Sequence, residues 1–326
     1  LKKEYHNWAL NGDRISLKAV FHQSISKENA QRKIENLGGR FELFWGSDII
    51  QFNIELSQLE LLYAQPEFYY FEERDAPEEP EGYQDVSNHR SNFINNPVCI
   101  GKSYDGSGVT VMMQDDGPIG PHIDYEGRIT TETVINSGDH GDHVAGIIMG
   151  AGNLNPDGVG NAPGAHLLVY SSPNSNFNLV PFLYDTEELV ITSKSYGDGN
   201  NAGYTSLSRM LDEQCYEHDA LMHVFSAGNS GTSNFGWGAG AGWANITGGH
   251  KQGKNFLAVG NLSDSDDLSG SSSRGPADDG RIKPDISGNG VNVYSASDQS
   301  NNSYRALSGT SMASPNVSGS LILLQQ

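Results

Sequence analysis

Three segments of the chain carry side chains whose types suit nucleophilic catalysis. In GVTVMMQDDG (108–117) a strand-like run leads straight into Asp115, and in DHGDHVAGI (139–147) His140 stands where a helical pattern begins. In SGTSMASPNVSG (308–319) Ser311 follows Gly309-Thr310 and opens another helical pattern. A serine hydroxyl is a weak nucleophile at neutral pH. An imidazole has to take its proton, and a carboxylate has to hold that imidazole in the right tautomer and stabilise the imidazolium. Acid, base and hydroxyl at strand ends and helix starts converge when the elements belong to one open sheet, whose sites gather at the carboxyl ends of the strands.

The elements needed are legible. Runs at 108–114, 165–170, 188–195, 220–228 and 256–261 are short, apolar and bounded by Gly, Asn or Asp, the pattern of a parallel sheet covered on both faces. HVAGIIMG and YTSLSRMLDEQCYEHD read as helices between them, giving an open α/β sheet. A smaller unit precedes it. ISLKAVFH (15–22) alternates as a strand, and Ser26 caps a helix that ends at Gly38-Gly39. Two strand-like runs then flank a Gly46-Ser47-Asp48 turn, a helix follows over 56–65, and FYYFEE is a last strand. This order predicts a small α/β sandwich with its helices on one face.

Between the two units, residues 72–85 hold seven acids, two prolines and one arginine, a composition that cannot pack into a core. The predicted organisation is therefore 1–75, an acidic linker at 76–85, and 86–326. The 326 residues carry 40 acidic and 20 basic side chains, a formal net charge of −20. Such a surface repels phosphate backbones, so nucleic acid is not an expected partner. No apolar run is long enough to span a bilayer. The start, LKKEYHNWAL, has no apolar core followed by a small-residue cleavage site, so a signal peptide is expected either to have been removed already or to lie outside the given sequence. Cys99 and Cys215 lie in no metal or redox spacing, and whether they pair is open.

The motifs as a set resemble those of subtilisin-like serine proteases. HGDHVAG is similar to the family's HGTHVAG signature, GTSMASP matches its serine signature, and QDDG resembles its D-[ST]-G motif. SAGNSG (226–231), SSRGP (272–276) and RIKPDISG (281–288) resemble further family segments in the expected order, so the resemblance covers about residues 86–326. It implies that Asp115 orients His140, that His140 is general base and then general acid, and that Ser311 attacks the scissile carbonyl. Asn229 would supply the oxyanion donor beside the Ser311 amide. Ser195, Tyr196 and Gly197 would pair with bound peptide and form one wall of the specificity pocket, with Ala227 and Gly228 on the other side. The first unit resembles the family's inhibitor-like, ferredoxin-like prodomain, implying an exported precursor that cuts itself between Arg74 and Tyr83. Its partners would be protein or peptide substrates and its own prodomain. No cofactor is expected to be required for catalysis; the oxygen-rich loops NLNPDGVGN and LSDSDD carry ligands of the kind calcium takes but match no specific ligand spacing, so they read either as ordinary polar loops or as structural calcium sites. Family members continue beyond the helix in which this chain ends, so a C-terminal part is expected to be missing.

Three departures stand out. Asp116 replaces the usual Ser or Thr, Asp142 replaces the Thr of HGTH, and Gln114 precedes the acid. Asp142 is expected to raise the His140 pKa if it lies close. His143 is expected to pack within its helix, and the Gly- and Trp-rich stretch 236–255 either shapes the pocket or forms a surface loop. Two rival readings remain. His140, Asp142 and His143 form H-x-D-H, part of a metal-hydrolase motif whose first histidine is replaced by Gly138. A non-catalytic binding module is the other, against which stand the complete triad and the oxyanion asparagine.

Overall fold

The computed structural model describes residues 5, 9–74, 79–80, 94, 102–132, 138–171, 174–200, 203–236 and 239–326. Most of the stretch expected to hold the processing site, and Cys99, lie outside these residues. Cys215 is a half-buried free thiol, and burial pushes it up to about 11.

The N-terminal unit runs β1 (Leu10–Asn11), β2 (Arg14–Phe21), α1 (Lys27–Asn36), β3 (Arg40–Trp45), β4 (Ile49–Glu55), α2 (Leu59–Tyr63) and β5 (Phe68–Glu73). The four long strands are antiparallel in the order β5-β2-β4-β3, the split βαβ arrangement expected of a ferredoxin-like unit. The alternating Ile15, Leu17, Ala19 and Phe21 face Ala30 and Ile34 of α1 and Leu59 and Leu62 of α2. Ser26 Oγ accepts from the Asn29 N–H at 3.3 Å, a cap worth about 1 kcal/mol. The opposite face of β2 was read as the polar one, yet Ser16, Lys18 and Val20 are buried as well. The second unit covers that face: Val20, Trp45 and Ile49 share an apolar cluster with Leu207, Met210 and Leu211. Lys18 keeps its ammonium over the Trp45 ring, 4.4 Å from the centroid.

A two-residue strand, β6 (Glu79–Pro80), leads toward the second unit. There β7 (Thr110–Asp115), β8 (Ile129–Thr131), β9 (His166–Ser171), β10 (Leu189–Lys194), β12 (Met222–Ser226), β13 (Leu257–Leu262) and β14 (Ile286–Asn289) form a seven-stranded sheet. Its order is β14-β13-β12-β10-β7-β9-β8 and every pair is parallel. Strand faces alternate, so Val111 and Met113 of β7 pack on one side and Met112 on the other. The first side is covered by α3 (His140–Met149) and α6 (Thr310–Gln325). The second is covered by α4 (Val180–Glu187) and α5 (Ser206–Glu217). A short β11 (Tyr196–Gly197) follows β10, and an antiparallel hairpin of β15 (Val293–Ser297) and β16 (Ser303–Leu307) precedes α6. The edge strands β8 and β14 and this hairpin went unread in the sequence.

The two units are tied by polar contacts too. Asn178 accepts from the Gly46 N–H (2.7 Å) and donates to the Phe44 carbonyl (3.0 Å). Arg209 pairs with Asp48 at 3.0 Å. The Glu72 carboxylate accepts from the Ser206 hydroxyl and N–H, so it sits on the positive end of α5. Beyond β5, β6 runs antiparallel to β11, with Pro80 opposite Tyr196 and Glu79 opposite Gly197. Among the described residues no helix is long and apolar enough to cross a membrane.

Candidate active site

Asp115 ends β7 and His140 begins α3, and the connection between strand and helix folds back so that the two meet. Gly141 permits the approach: a Cβ there would stand 2.6 Å from the Asp116 carbonyl oxygen. His140 Nδ1 lies 2.6 Å from Asp115 Oδ1, both groups buried. A carboxylate only accepts, so Nδ1 carries the proton and Nε2 presents a lone pair. That Nε2 is buried and, among the described residues, has no hydrogen-bond partner. Burial opposes charging the ring, but the charge and hydrogen bond of Asp115, with Asp116 behind it, prevail and raise the His140 pKa.

The neighbouring acids are divided differently from the expectation. Asp142 turns to the Gly120 N–H (2.8 Å) and the Tyr125 hydroxyl (3.0 Å), and burial raises its pKa to about 6. The second acid that raises His140 is therefore Asp116, not Asp142. Asp116 accepts from the Gly141 N–H at 2.7 Å, and burial with the Asp115 charge raises its own pKa. His143 is buried with Nε2 on the Val293 and Arg305 carbonyls (3.0 and 3.2 Å), and burial drives its pKa down to about 3. Arg305 also pairs with Asp139, which anchors the start of α3 to β16.

Ser311 is the second residue of α6 and fully buried. Its hydroxyl donates to the Ser195 carbonyl at 2.8 Å. Lys194 stands opposite Gln114 in the β10–β7 pairing, so Ser195 and Asp115 are neighbours at the carboxyl edge of the sheet. This brings Ser311 to the edge that holds Asp115 and His140. The strand order reverses between β7 and β10, the place where open α/β sheets leave a crevice. The first N–H groups of a helix have no acceptor within it, so the Ser311 amide is a ready donor. Pro315 lacks the N–H that would otherwise bond the Ser311 carbonyl.

Asn229 Oδ1 accepts from the Thr310 N–H (2.9 Å) and hydroxyl (3.3 Å). Its amide orientation is thereby set, and Nδ2, a donor, is left buried without a partner among the described residues. Thr310 is a positioning residue that the sequence reading did not single out, although it stands inside GTSMASP. Its hydroxyl also accepts from the Gly228 N–H at 3.0 Å. Gly228 has φ +113°, and a Cβ there would lie 2.5 Å from Thr247 Oγ1. Tyr196 and Gly197 face β6, as described above, and Tyr196 itself is buried. The stretch 236–255 divides: Trp243 is 55% exposed, whereas Asn245 to Gln252 are buried and reach the Gly228 wall through Thr247.

The model of the subtilase family matches residues 106–326. The chain belongs to the subtilase family. Serine protease AprX of Bacillus subtilis is 31% identical over 271 residues, which cover 70% of this chain and 60% of AprX. Proteinase PII of Lactococcus lactis subsp. cremoris is 48% identical over 61 residues, 3% of its own length. This subtilase thus spans less than two thirds of the length of these curated relatives. The solved structure of the epidermin leader peptide processing serine protease of Staphylococcus aureus superposes with a TM-score of 0.66 at 15% identity. It covers 96% of this chain and 88% of its own. Fervidolysin from Fervidobacterium pennivorans gives 0.62 at 18%, covering 95% of this chain and 54% of its own. The last two are likenesses of fold, and they extend through the N-terminal unit.

The metal reading of H-x-D-H requires His140, Asp142 and His143 to converge. In this subtilase Asp142 and His143 instead bond to Gly120, Tyr125 and backbone carbonyls. Among the described residues the one close set of three acidic, imidazole or thiol groups is Asp115, Asp116 and His140. Neither loop expected to hold calcium gathers such a set. In 153–161, Asn155 caps the Asp157 N–H and Asn161 bonds Asn316.

Proposed function

We propose that this subtilase is a serine endopeptidase precursor that hydrolyses peptide bonds through Asp115, His140 and Ser311. One observation carries the reading: a buried His140 is held by Asp115 at Nδ1 while its Nε2 remains without a partner among the described residues. In this mechanism Ser311 swings from Ser195, passes its proton to His140 and attacks the carbonyl carbon. The tetrahedral oxyanion is met by the Ser311 N–H and Asn229 Nδ2, the kind of preorganised donor worth about 3–4 kcal/mol. His140 then protonates the leaving amine, and water repeats the sequence on the acyl-enzyme. Every group is supplied by the chain, so no cofactor takes part, and any bound calcium serves stability alone.

Extended peptide is expected to add as a strand along Ser195, Tyr196 and Gly197, which gives affinity through the backbone with little dependence on side chains. The pairing of β6 with β11 supports a reading in which the N-terminal unit blocks the cleft until the linker is cut. The protein is accordingly read as an exported zymogen that processes itself. A fluorophosphonate probe tests the nucleophile: it is expected to label Ser311 and to fail with Ser311→Ala. Incubation of the precursor is expected to yield a cut between Arg74 and Tyr83 that the same substitution abolishes. A folded, processed chain that takes up no probe would overturn the proposal in favour of a binding module.

A further inference from the structure

The two oxygens of Asp115 are treated unequally. Oδ1 accepts from the Asp116 N–H at 2.9 Å and from His140 Nδ1 at 2.6 Å. Oδ2 is buried and has no hydrogen-bond partner among the described residues. The Asp115 side chain is 1% exposed, so this oxygen is cut off from bulk water. A buried carboxylate oxygen is costly to leave unmet, and one that is unmet in a folded chain calls for a bound ion or water.

A second acid stands beside it. Asp116 Oδ1 accepts from the Gly141 N–H at 2.7 Å, and Gly138 leaves space for Oδ2, since a Cβ there would stand 1.9 Å from it. One ligand atom each from Asp115, Asp116 and His140 lies within 4.8 Å of the other two. Asp115 and His140 are buried, whereas Asp116 is half-buried and gives the set a side open to solvent. Zinc forms bonds of about 2.0–2.2 Å to imidazole nitrogen and carboxylate oxygen, so tetrahedral donors stand about 3.3 Å apart. The three groups reach that spacing by movements on the order of 1 Å. Calcium takes six to eight oxygens, which one imidazole and two acids do not supply.

We propose that Asp115, Asp116 and His140 bind a zinc ion, and that the bound ion switches the peptidase off. The inhibition rests on the hydrolytic function proposed above, whereas the binding does not. Zinc takes the Nδ1 lone pair, so the single proton of the neutral ring moves from Nδ1 to Nε2. Asp115 Oδ2 and an Asp116 oxygen supply two further bonds, and water takes the fourth position. Nothing is oxidised or reduced. With a proton on Nε2, His140 accepts none from Ser311, whose hydroxyl stays on the Ser195 carbonyl. The site depends on Asp116, because a serine or threonine there would offer no anionic oxygen.

The test uses the full chain carrying Ser311→Ala, which lacks the proposed nucleophile and keeps all three ligands. Calorimetry with zinc chloride is expected to give one site, and the His140 ring signals in NMR are expected to shift as it fills. Adding Asp116→Ser is expected to weaken the binding by about tenfold or more, and calcium chloride is expected to give no such site. In the unsubstituted chain, zinc is expected to suppress fluorophosphonate labelling of Ser311 and EDTA to restore it. Should the Asp116→Ser chain not fold, the His140 signals decide the matter. No binding, binding with those signals unmoved, or binding unchanged by Asp116→Ser overturns the site. Labelling at full rate in the presence of zinc overturns the inhibition and leaves the hydrolytic function standing. Absence of label without zinc removes that function and the inhibition with it, while calorimetry still judges the site.

Discussion

Ser311 gives its hydroxyl hydrogen to the Ser195 carbonyl at 2.8 Å, while His140 Nε2 stands buried without a partner among the described residues. The two residues lie at one edge of the sheet, with the hydroxyl turned toward the strand proposed to receive peptide. Under the proposed function, a peptide pairing with that strand would bring an N–H of its own to compete for the Ser195 oxygen, freeing the hydroxyl to turn to His140. Ser311→Ala and His140→Ala are each expected to lower kcat by 10,000-fold or more, and the double variant by little beyond either, since the residues act as a unit. Steady-state kinetics on a peptide substrate checks this, and additive losses would contradict it.

Asp115→Asn is expected to reduce kcat by about 10,000-fold while the fold persists. An amide nitrogen facing His140 Nδ1 would donate where the carboxylate accepts, placing the ring proton on Nε2 and removing the base. Unchanged circular dichroism with lost turnover is the expected result.

The pH dependence follows from Asp116. As the proposed base His140 would have to be neutral, and its pKa is raised, so the acid limb of kcat/KM is expected above the ordinary histidine range. Asp116→Asn removes a negative charge that stabilises the imidazolium, so the limb should move to lower pH. A limb unmoved by this change, but moved by Asp142→Asn, would reverse the division of roles between the two acids.

Asn229 has two jobs that substitution can separate. Its Oδ1 holds Thr310, and its Nδ2 is the proposed donor to the oxyanion. Asn229→Asp keeps the acceptor and loses the donor, so kcat should fall by roughly 100- to 1,000-fold. The melting temperature should fall less than in Asn229→Ala, which removes both.

Two buried histidines outside the triad, His143 and His223, have pKa values pushed down by burial to about 3. Unfolded, each binds a proton near pH 6.5, so between about 6.5 and 3 the unfolded chain carries more protons than the native one. Each therefore contributes stability that is present above that window and lost as pH falls, by up to about 1.4 kcal/mol per pH unit. Imidazole NMR signals from both rings should stay neutral down to about pH 4. Titration of either near 6 would refute this.

The strand runs, the first helix cap and the three motif segments were legible because each depends on neighbours in sequence: alternation, a capping serine, a strand ending in an acid. The faces of β2 were not, since Val20 is covered by residues nearly two hundred positions away and Lys18 by Trp45 on another strand. Nor were the edge strand β14 and the β15–β16 hairpin, whose Ser, Gly and Tyr residues carry little apolar periodicity.

At the site, the sequence by itself determined which acid, base, hydroxyl and amide are present and in what order, because their chemistry is a property of residue type. Tertiary structure alone decided what each one faces. It set Asp116 rather than Asp142 to charge His140, and set Thr310 to orient Asn229. These outcomes depend on distances of a few ångströms between segments remote in the chain, and electrostatic and hydrogen-bond energies are fixed by those distances rather than by spacing along the sequence.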